Sequence, residues 1–244
     1  MYELKICHLY PDIFYAYGEN NAPLILKNRM EWRGHQVTIE NITRTDAFHP
    51  SQYDIIFIGA GTTTQISSML PDFLSLKAPA LMDAVEADKI LLGVGSGFQV
   101  LGNSITLPDQ TYYECSHILD FDTIGNYYQN TGNLILERED GTLLVGYESH
   151  IGNTKLGPAV SPFAKVKFGI GNNDTAHTDG VHYKNTFGTY CFGPLVALNP
   201  AFADELLTLA LLNKYQEAKL APLSDELAYK ARERVLGIYL PTTS

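Results

Sequence analysis

The sequence predicts an α/β protein with a mostly parallel central sheet, helices on both faces, and an additional antiparallel portion in its second half. Three observations predict it. Short apolar runs at Leu4 to Leu9, Tyr53 to Ile58 and Lys89 to Val94 have the length and composition of buried parallel strands. Two of these runs end in glycine-bracketed loops, Gly59-Ala60-Gly61 and Gly95-Ser96-Gly97, as expected where a strand opens toward a ligand site beyond its carboxyl end. Segments with helical spacing alternate with the strands up to Pro108, and that succession marks a doubly wound sheet.

The first strand, Leu4 to Leu9, is closed by the turn signal Tyr10-Pro11-Asp12. A helix follows, capped by Asn20 or Asn21, with Pro23 in its first turn, Leu24, Ile25 and Met30 at helical spacing, and Gly34 as its left-handed stop. His35 to Ile42 is the next strand, and after Tyr53 to Ile58 the segment Leu81 to Ala87 is helical. Lys89 to Val94 then runs into its glycine turn, and Phe98-Gln99-Val100-Leu101 starts another helix. Beyond Pro108 the pattern changes to short strands, Leu134 to Glu137 and Leu143 to Glu148, joined by a hairpin turn at Glu139-Asp140-Gly141. Ala203 to Glu217 carries Leu206, Leu207, Ala210 and Leu211 on one side of an amphipathic helix, and Asp225 to Leu236 forms a second. With no internal repeat, low-complexity stretch or clear linker, residues 1–244 are expected to form one domain, 216–244 being a C-terminal helical extension.

Acidic residues outnumber basic ones, 27 to 17, for a formal charge of −10, so a nucleic-acid backbone or an anionic membrane surface would be repelled. The cationic residues between Lys230 and Arg234 are interrupted by Ala and Glu and fit a solvated helix face. Cys7, Cys115 and Cys191 form no C-x-x-C pair, and an odd count fits a reducing compartment without disulfides or structural zinc. His8, His35, His49, His117 and His177 show no ligand spacing, so no metal is expected, and nothing implies a cofactor. No apolar run approaches the roughly 18 residues of a membrane span and no signal sequence opens the chain, which predicts a cytoplasmic, unanchored protein.

Five segments then recur in a telling order. The first is Leu9-Tyr10-Pro11-Asp12 with Tyr17-Gly18 and Glu31-Trp32-Arg33-Gly34; the second is Phe57-Ile58-Gly59-Ala60-Gly61 with Gln65. The third is Leu92-Gly93-Val94-Gly95-Ser96-Gly97-Phe98-Gln99-Val100-Leu101-Gly102. The fourth joins Gly146-Tyr147-Glu148-Ser149-His150 to Gly169-Ile170-Gly171-Asn172-Asn173 and Gly180-Val181-His182-Tyr183-Lys184-Asn185; the fifth is Gly188-Thr189-Tyr190-Cys191-Phe192-Gly193-Pro194. Together they resemble the cobyric-acid-synthase-like class I glutamine amidotransferases, most closely the GatD-like branch, with the likeness strongest over residues 1–215. The resemblance implies a three-layer, flavodoxin-like fold. It also implies a glutaminase subunit working with a MurT-like Mur ligase to amidate the peptidoglycan precursor lipid II.

The departures from the family pattern are chemical. A glutaminase of this kind needs a thiolate to attack the amide and an imidazole to carry the proton. The third segment aligns Gly95 with the family's cysteine, and the fifth aligns Phe192 with its histidine. Gln129, before Asn130-Thr131-Gly132, stands where GatD-like chains have an arginine associated with holding glutamine, and lacks the fork of donors that fits a carboxylate. The resemblance therefore implies a scaffold without glutaminase chemistry. Its vestigial pocket would comprise Gly59, Ala60, Gly61, Gly95, Ser96, Gln99, Gln129 and Phe192, open to a small-molecule ligand. Glycine suits the strained apex of a nucleophile turn, so the turn itself is expected to persist.

A second reading keeps an active hydrolase or transferase, built on Ser96, Cys191 or a histidine. Ser96 lies one residue past the apex and lacks the Gly-x-Ser-x-Gly frame, its flanks being Val94 and Phe98. His150 and His182 are its candidate bases, and Cys191 is otherwise a buried strand cysteine. The Gly59-Ala60-Gly61 loop either presents amides to a carbonyl oxygen or anion, or is simply a tight connection.

Overall fold

The computed structural model describes residues 1–15, 20–193 and 195–240, so Tyr17, Gly18 and Pro194 of the motifs above lie outside the described residues. In chain order the elements are β1 (Glu3–Leu9), α1 (Ala22–Glu31), β2 (Gln36–Ile42), β3 (Ile55–Ile58), α2 (Thr63–Asp72), α3 (Ala78–Glu86), β4 (Ile90–Val94) and α4 (Ser96–Gln99). There follow β5 (Ser104–Thr106), β6 (Tyr112–Glu114), β7 (Phe121–Glu137), β8 (Leu143–Leu156), β9 (Ala164–Phe168), β10 (Thr178–Asp179), β11 (Val181–Tyr183) and β12 (Thr186–Thr189). The helices α5 (Leu195–Leu198), α6 (Pro200–Tyr215) and α7 (Glu226–Tyr239) complete the chain.

The first sheet has the order β11-β12-β4-β3-β1-β2, parallel throughout except for the edge strand β11. Its strands are apolar on both sides because both sides are covered. Leu4, Ile6, Ile55, Phe57, Ile90 and Leu92 pack with Leu26 and Met30 of α1 and with Phe202, Leu206 and Ala210 of α6. The alternate residues Cys7, Leu9, Ile56, Ile58 and Leu91 pack on the other side with Ile66 and Met69 of α2 and Leu81 and Val85 of α3. This is the α/β architecture with helices on both faces that the alternation of elements predicted.

The antiparallel portion belongs to a second sheet, β10-β9-β7-β5-β6, with β8 also paired to β7; its pairs are antiparallel except β5 with β7. The hairpin turn falls where expected: the Arg138 N–H donates to Thr142 O at 2.8 Å, the Gly141 N–H donates to Arg138 O at 2.9 Å, and Gly141 has φ +82°. Its arms are far longer than the short strands predicted, 17 residues in β7 and 14 in β8. Their outer halves carry Asn, Gly and Thr rather than apolar alternation, and the ladder slips between Gly125 and Asn130.

Four helix details differ from expectation. The helix after the second glycine turn begins at Ser96 and ends at Gln99, because the loop that follows claims the next carbonyls: Ser116, Leu119 and His117 N–H groups donate to Val100, Leu101 and Gly102 O. Asn21 occupies the N-cap position of α1, but its side chain makes no capping bond. Helix α6 starts at Pro200, ahead of the expected Ala203, and closes at Tyr215 with Gln216 left-handed at φ +56°. Helix α2 was not predicted at all, although Thr62 and Gln65 form a reciprocal capping box at its start. Among the described residues no helix is long and apolar enough to cross a membrane.

Candidate functional site

The site is built from three strand ends. At the carboxyl end of β4, Gly95 takes φ +55° and ψ −115°, a conformation that L side chains rarely adopt and glycine adopts at low cost. Its N–H donates to Thr189 O of β12 at 2.9 Å, and its own carbonyl accepts from Phe98 and Gln99 N–H, both at 3.0 Å. The turn is locked to the loop after β3: the Gly97 N–H donates to Gly59 O at 3.0 Å, and a Cβ on Gly97 would lie 2.4 Å from Ile58 O. The Ser96 hydroxyl ties the same two loops, donating to Gly61 O at 2.6 Å and accepting from the Gly61 N–H at 3.2 Å.

Above these loops lies a cleft of about 220 Å³ that brings together Ala60, Gly61, Gly95, Ser96, Gln99, Gln129 and Phe192. Gly59 stands behind it, bonded to Gly97. The same wall includes Thr62, which caps α2, Thr63 and Ile66 of α2, and Ser149 and Ile151 of β8, none of which the sequence marks as a site residue. Phe192 is buried and clamped to β8 by a reciprocal pair, its N–H donating to Tyr147 O at 2.9 Å and Tyr147 N–H to its carbonyl at 2.8 Å. Gly95 and Phe192 therefore share one cleft at the rim of the parallel strands.

Residues 5–200 match the CobB/CobQ-like glutamine amidotransferase domain. The chain belongs to that family. It is 34% identical to "Lipid II isoglutaminyl synthase (glutamine-hydrolyzing) subunit GatD" of Streptococcus pneumoniae, over 95% of this chain and 90% of that protein. It is 31% identical to the subunit of the same name from Staphylococcus aureus, over 96% and 95%. The fold is also similar to the crystal structure of a glutamine amidotransferase from Thermotoga maritima, with a TM-score of 0.53, 11% identity and 96% and 94% of the two chains covered.

On this amidotransferase scaffold the polar groups around the cleft are already engaged. Gln129 Nε2 donates to Ser149 Oγ at 2.5 Å. Gln99 Nε2 donates to the Tyr190 hydroxyl at 3.1 Å, which in turn lies 2.6 Å from Thr154 Oγ1. His150 lines the cleft with its ring stacked 3.7 Å from that of Tyr190. Its Nε2 is 3.2 Å from Glu148 Oε2 and its Nδ1 3.0 Å from Gly152 O, so both nitrogens are held within the floor of the site and neither bonds Ser96. Glu148 is fixed in turn by the Ile170 and Gly171 N–H groups at 2.7 and 2.9 Å.

The remaining candidates lie elsewhere. His182 stacks on Phe187 at 4.8 Å, away from the cleft, and burial lowers its pKa. Cys191 is fully buried and does not line the cleft. Beneath the turn, however, sits a group that no motif or spacing in the chain marks. Asp179 is fully buried, accepts from Thr189 Oγ1 and from the Tyr190 N–H at 3.2 Å, and is pushed up to about 7 by burial, with Glu148 adding to the rise and the Thr189 bond opposing it. Among the described residues no cluster of three potential metal ligands occurs.

Proposed function

We propose that this chain is a GatD-like subunit of an assembly that amidates lipid II, paired with a MurT-like Mur ligase and without glutaminase chemistry of its own. In this reading the cleft that family members use for glutamine is kept as a binding pocket for a small molecule. The observation that carries the proposal is the shared cleft of Gly95 and Phe192: the apex of the nucleophile turn has only a hydrogen, and the side chain facing the same space is a benzyl group. A thioester intermediate needs a sulfur at that apex, and its formation and hydrolysis need a group that takes and returns a proton.

The names of two relatives covering almost the whole chain support the assignment to lipid II amidation. Engagement of the Ser96 hydroxyl with Gly61, and the burial of Cys191 outside the cleft, support it against a displaced nucleophile. Three buried cysteines that form no disulfide among the described residues support a reducing, cytoplasmic setting.

The test is ammonia release from glutamine, measured for the chain alone and mixed with a MurT-like ligase from the same organism. No release above the blank is expected in either case. Release that disappears on Gln99→Ala or Ser96→Ala would overturn the proposal, because it would place working chemistry in this cleft.

A further inference from the structure

At β5, β6 and the first residues of β7 the second sheet has one covered face and one open face. Ile105 and Phe121 belong to the core, with Tyr113 packed against it, so β5, β6 and β7 are covered on that side. On the opposite side the strand registers align two rows, Tyr112–Thr106–Ile124 and Glu114–Ser104–Asp122. Tyr112 and Ile124 are 61% and 58% exposed. Farther along β7, where the ladder with β8 slips, Asn126 to Gln129 swing out. Tyr127 and Tyr128 there stand 88% and 62% exposed, and the next residue, Gln129, is already in the cleft wall. The Tyr127 hydroxyl donates to Pro108 O at 2.8 Å, which fixes its ring at the edge of this face.

The charges that β5, β6, β7 and the turn joining β5 to β6 bring to this face are acidic. No lysine or arginine occurs between Lys89 and Arg138, whereas Asp109, Glu114 and Asp122 are exposed there. Lys155 lies opposite Asp122 on β8, and His117 Nε2 is 3.3 Å from Glu114 Oε1. Exposed tyrosines with restricted rotamers are typical of protein interfaces, and tyrosine faces and carboxylates both attract cations. A second copy of the chain, a nucleic acid and an anionic membrane would each bring charge of the wrong sign.

We propose that the open face of β5, β6 and β7, with Tyr127 and Tyr128, docks a protein partner through a surface rich in arginine and lysine, which would then cover the mouth of the cleft. This rests on the partner reading above and says where that partner sits. The probe is the MurT-like ligase, titrated calorimetrically against the wild-type chain, Y127A/Y128A, E114K, and the control K230A on α7. Binding at least tenfold weaker in Y127A/Y128A, several-fold weaker in E114K and unchanged in K230A is expected, with wild-type affinity falling as salt rises. Y128A alone serves if the double variant melts early.

Equal binding by all variants would overturn the docking face and leave the partner reading intact. No binding by the wild type would instead count against the partner reading. The face is then judged by a photo-crosslinkable deca-arginine peptide, whose adducts should fall on Tyr112, Tyr127 and Tyr128. Adducts elsewhere, or a wild-type dimer that Y127A/Y128A dissociates, would overturn the proposal.

Discussion

A β-carbon placed on Gly95 would lie 3.0 Å from the Ala60 β-carbon, at a backbone φ of +55°. Placing a cysteine at this apex therefore meets both strain and crowding. Gly95→Cys should lower stability by about 1–3 kcal/mol in urea melts and give no glutaminase activity while Phe192 remains. Adding Ala60→Gly should recover part of the stability by removing the facing methyl. Full stability in Gly95→Cys would mean that the turn does not hold the conformation described. Asp179 gives a second, pH-dependent expectation. Its folded pKa, about 7, lies above the ordinary aspartate value of 3.8, so the native state holds its proton more tightly. The stabilisation is complete below 3.8 and is lost as pH rises to about 7. Asp179→Asn removes the titration while Thr189, whose hydroxyl can turn, keeps a bond to the amide. Relative to wild type, the variant should gain about 1–4 kcal/mol between pH 4 and pH 8, and a difference independent of pH would sink the idea. Gly95 and Phe192 were legible in the sequence because motif positions fix them at set distances from neighbouring glycines. Asp179 was not, since its environment is assembled from Glu148 of β8, Thr189 of β12 and Tyr190 just beyond it.

Among the elements, legibility followed burial. Strands β1, β3 and β4 read directly because β3 and β4 are buried at every position and β1 along its carboxyl-terminal half, leaving nearly continuous apolar runs. Strands β7 and β8 did not, because outside the apolar stretches around Leu134 and Leu144 they pair over one another largely with polar residues, with Phe121 reaching the core from among them. Helix α2 was hidden differently: Pro71 inside it and a π-helical turn over Phe73–Lys77 interrupt the helical period, leaving the capping box as its clearest signal. The same pattern separates the two parts of the site. The loops after β3 and β4 are marked by glycine, whereas in the wall from β8 only His150 is marked by its chemistry: burial alternates regularly from Glu148 to Thr154, but the residue types Glu, Ser, His, Ile, Gly, Asn and Thr do not alternate between apolar and polar with it.

At the scale of the whole molecule, the C-terminal segment is held by polar ties rather than by burial. Helix α7 contributes no buried residue, so its amphipathic pattern alone does not explain its position. It is anchored at its start by Asp225, which accepts from Arg29 of α1 at 2.7 and 2.9 Å, while Arg29 also grips Asp204 of α6 at 2.8 and 2.9 Å. At the other end, the Tyr239 hydroxyl accepts from Asn133 Nδ2 at 2.8 Å, and its ring lies 4.6 Å from that of Phe168. A guanidinium only 4% exposed and shared between two carboxylates is sensitive to the loss of either partner, because charge-assisted bonds are strong and directional. Asp225→Asn weakens one fork and leaves the other, so the effect should be local. Amide exchange over Glu226–Tyr239 should speed up about tenfold, equivalent to about 1.4 kcal/mol of lost local stability, while β1, β3 and β4 keep their protection. If protection falls equally in the central strands, the segment is part of the cooperative core and not an extension tied to it; if α7 is unaffected, the Arg29 fork does not hold it.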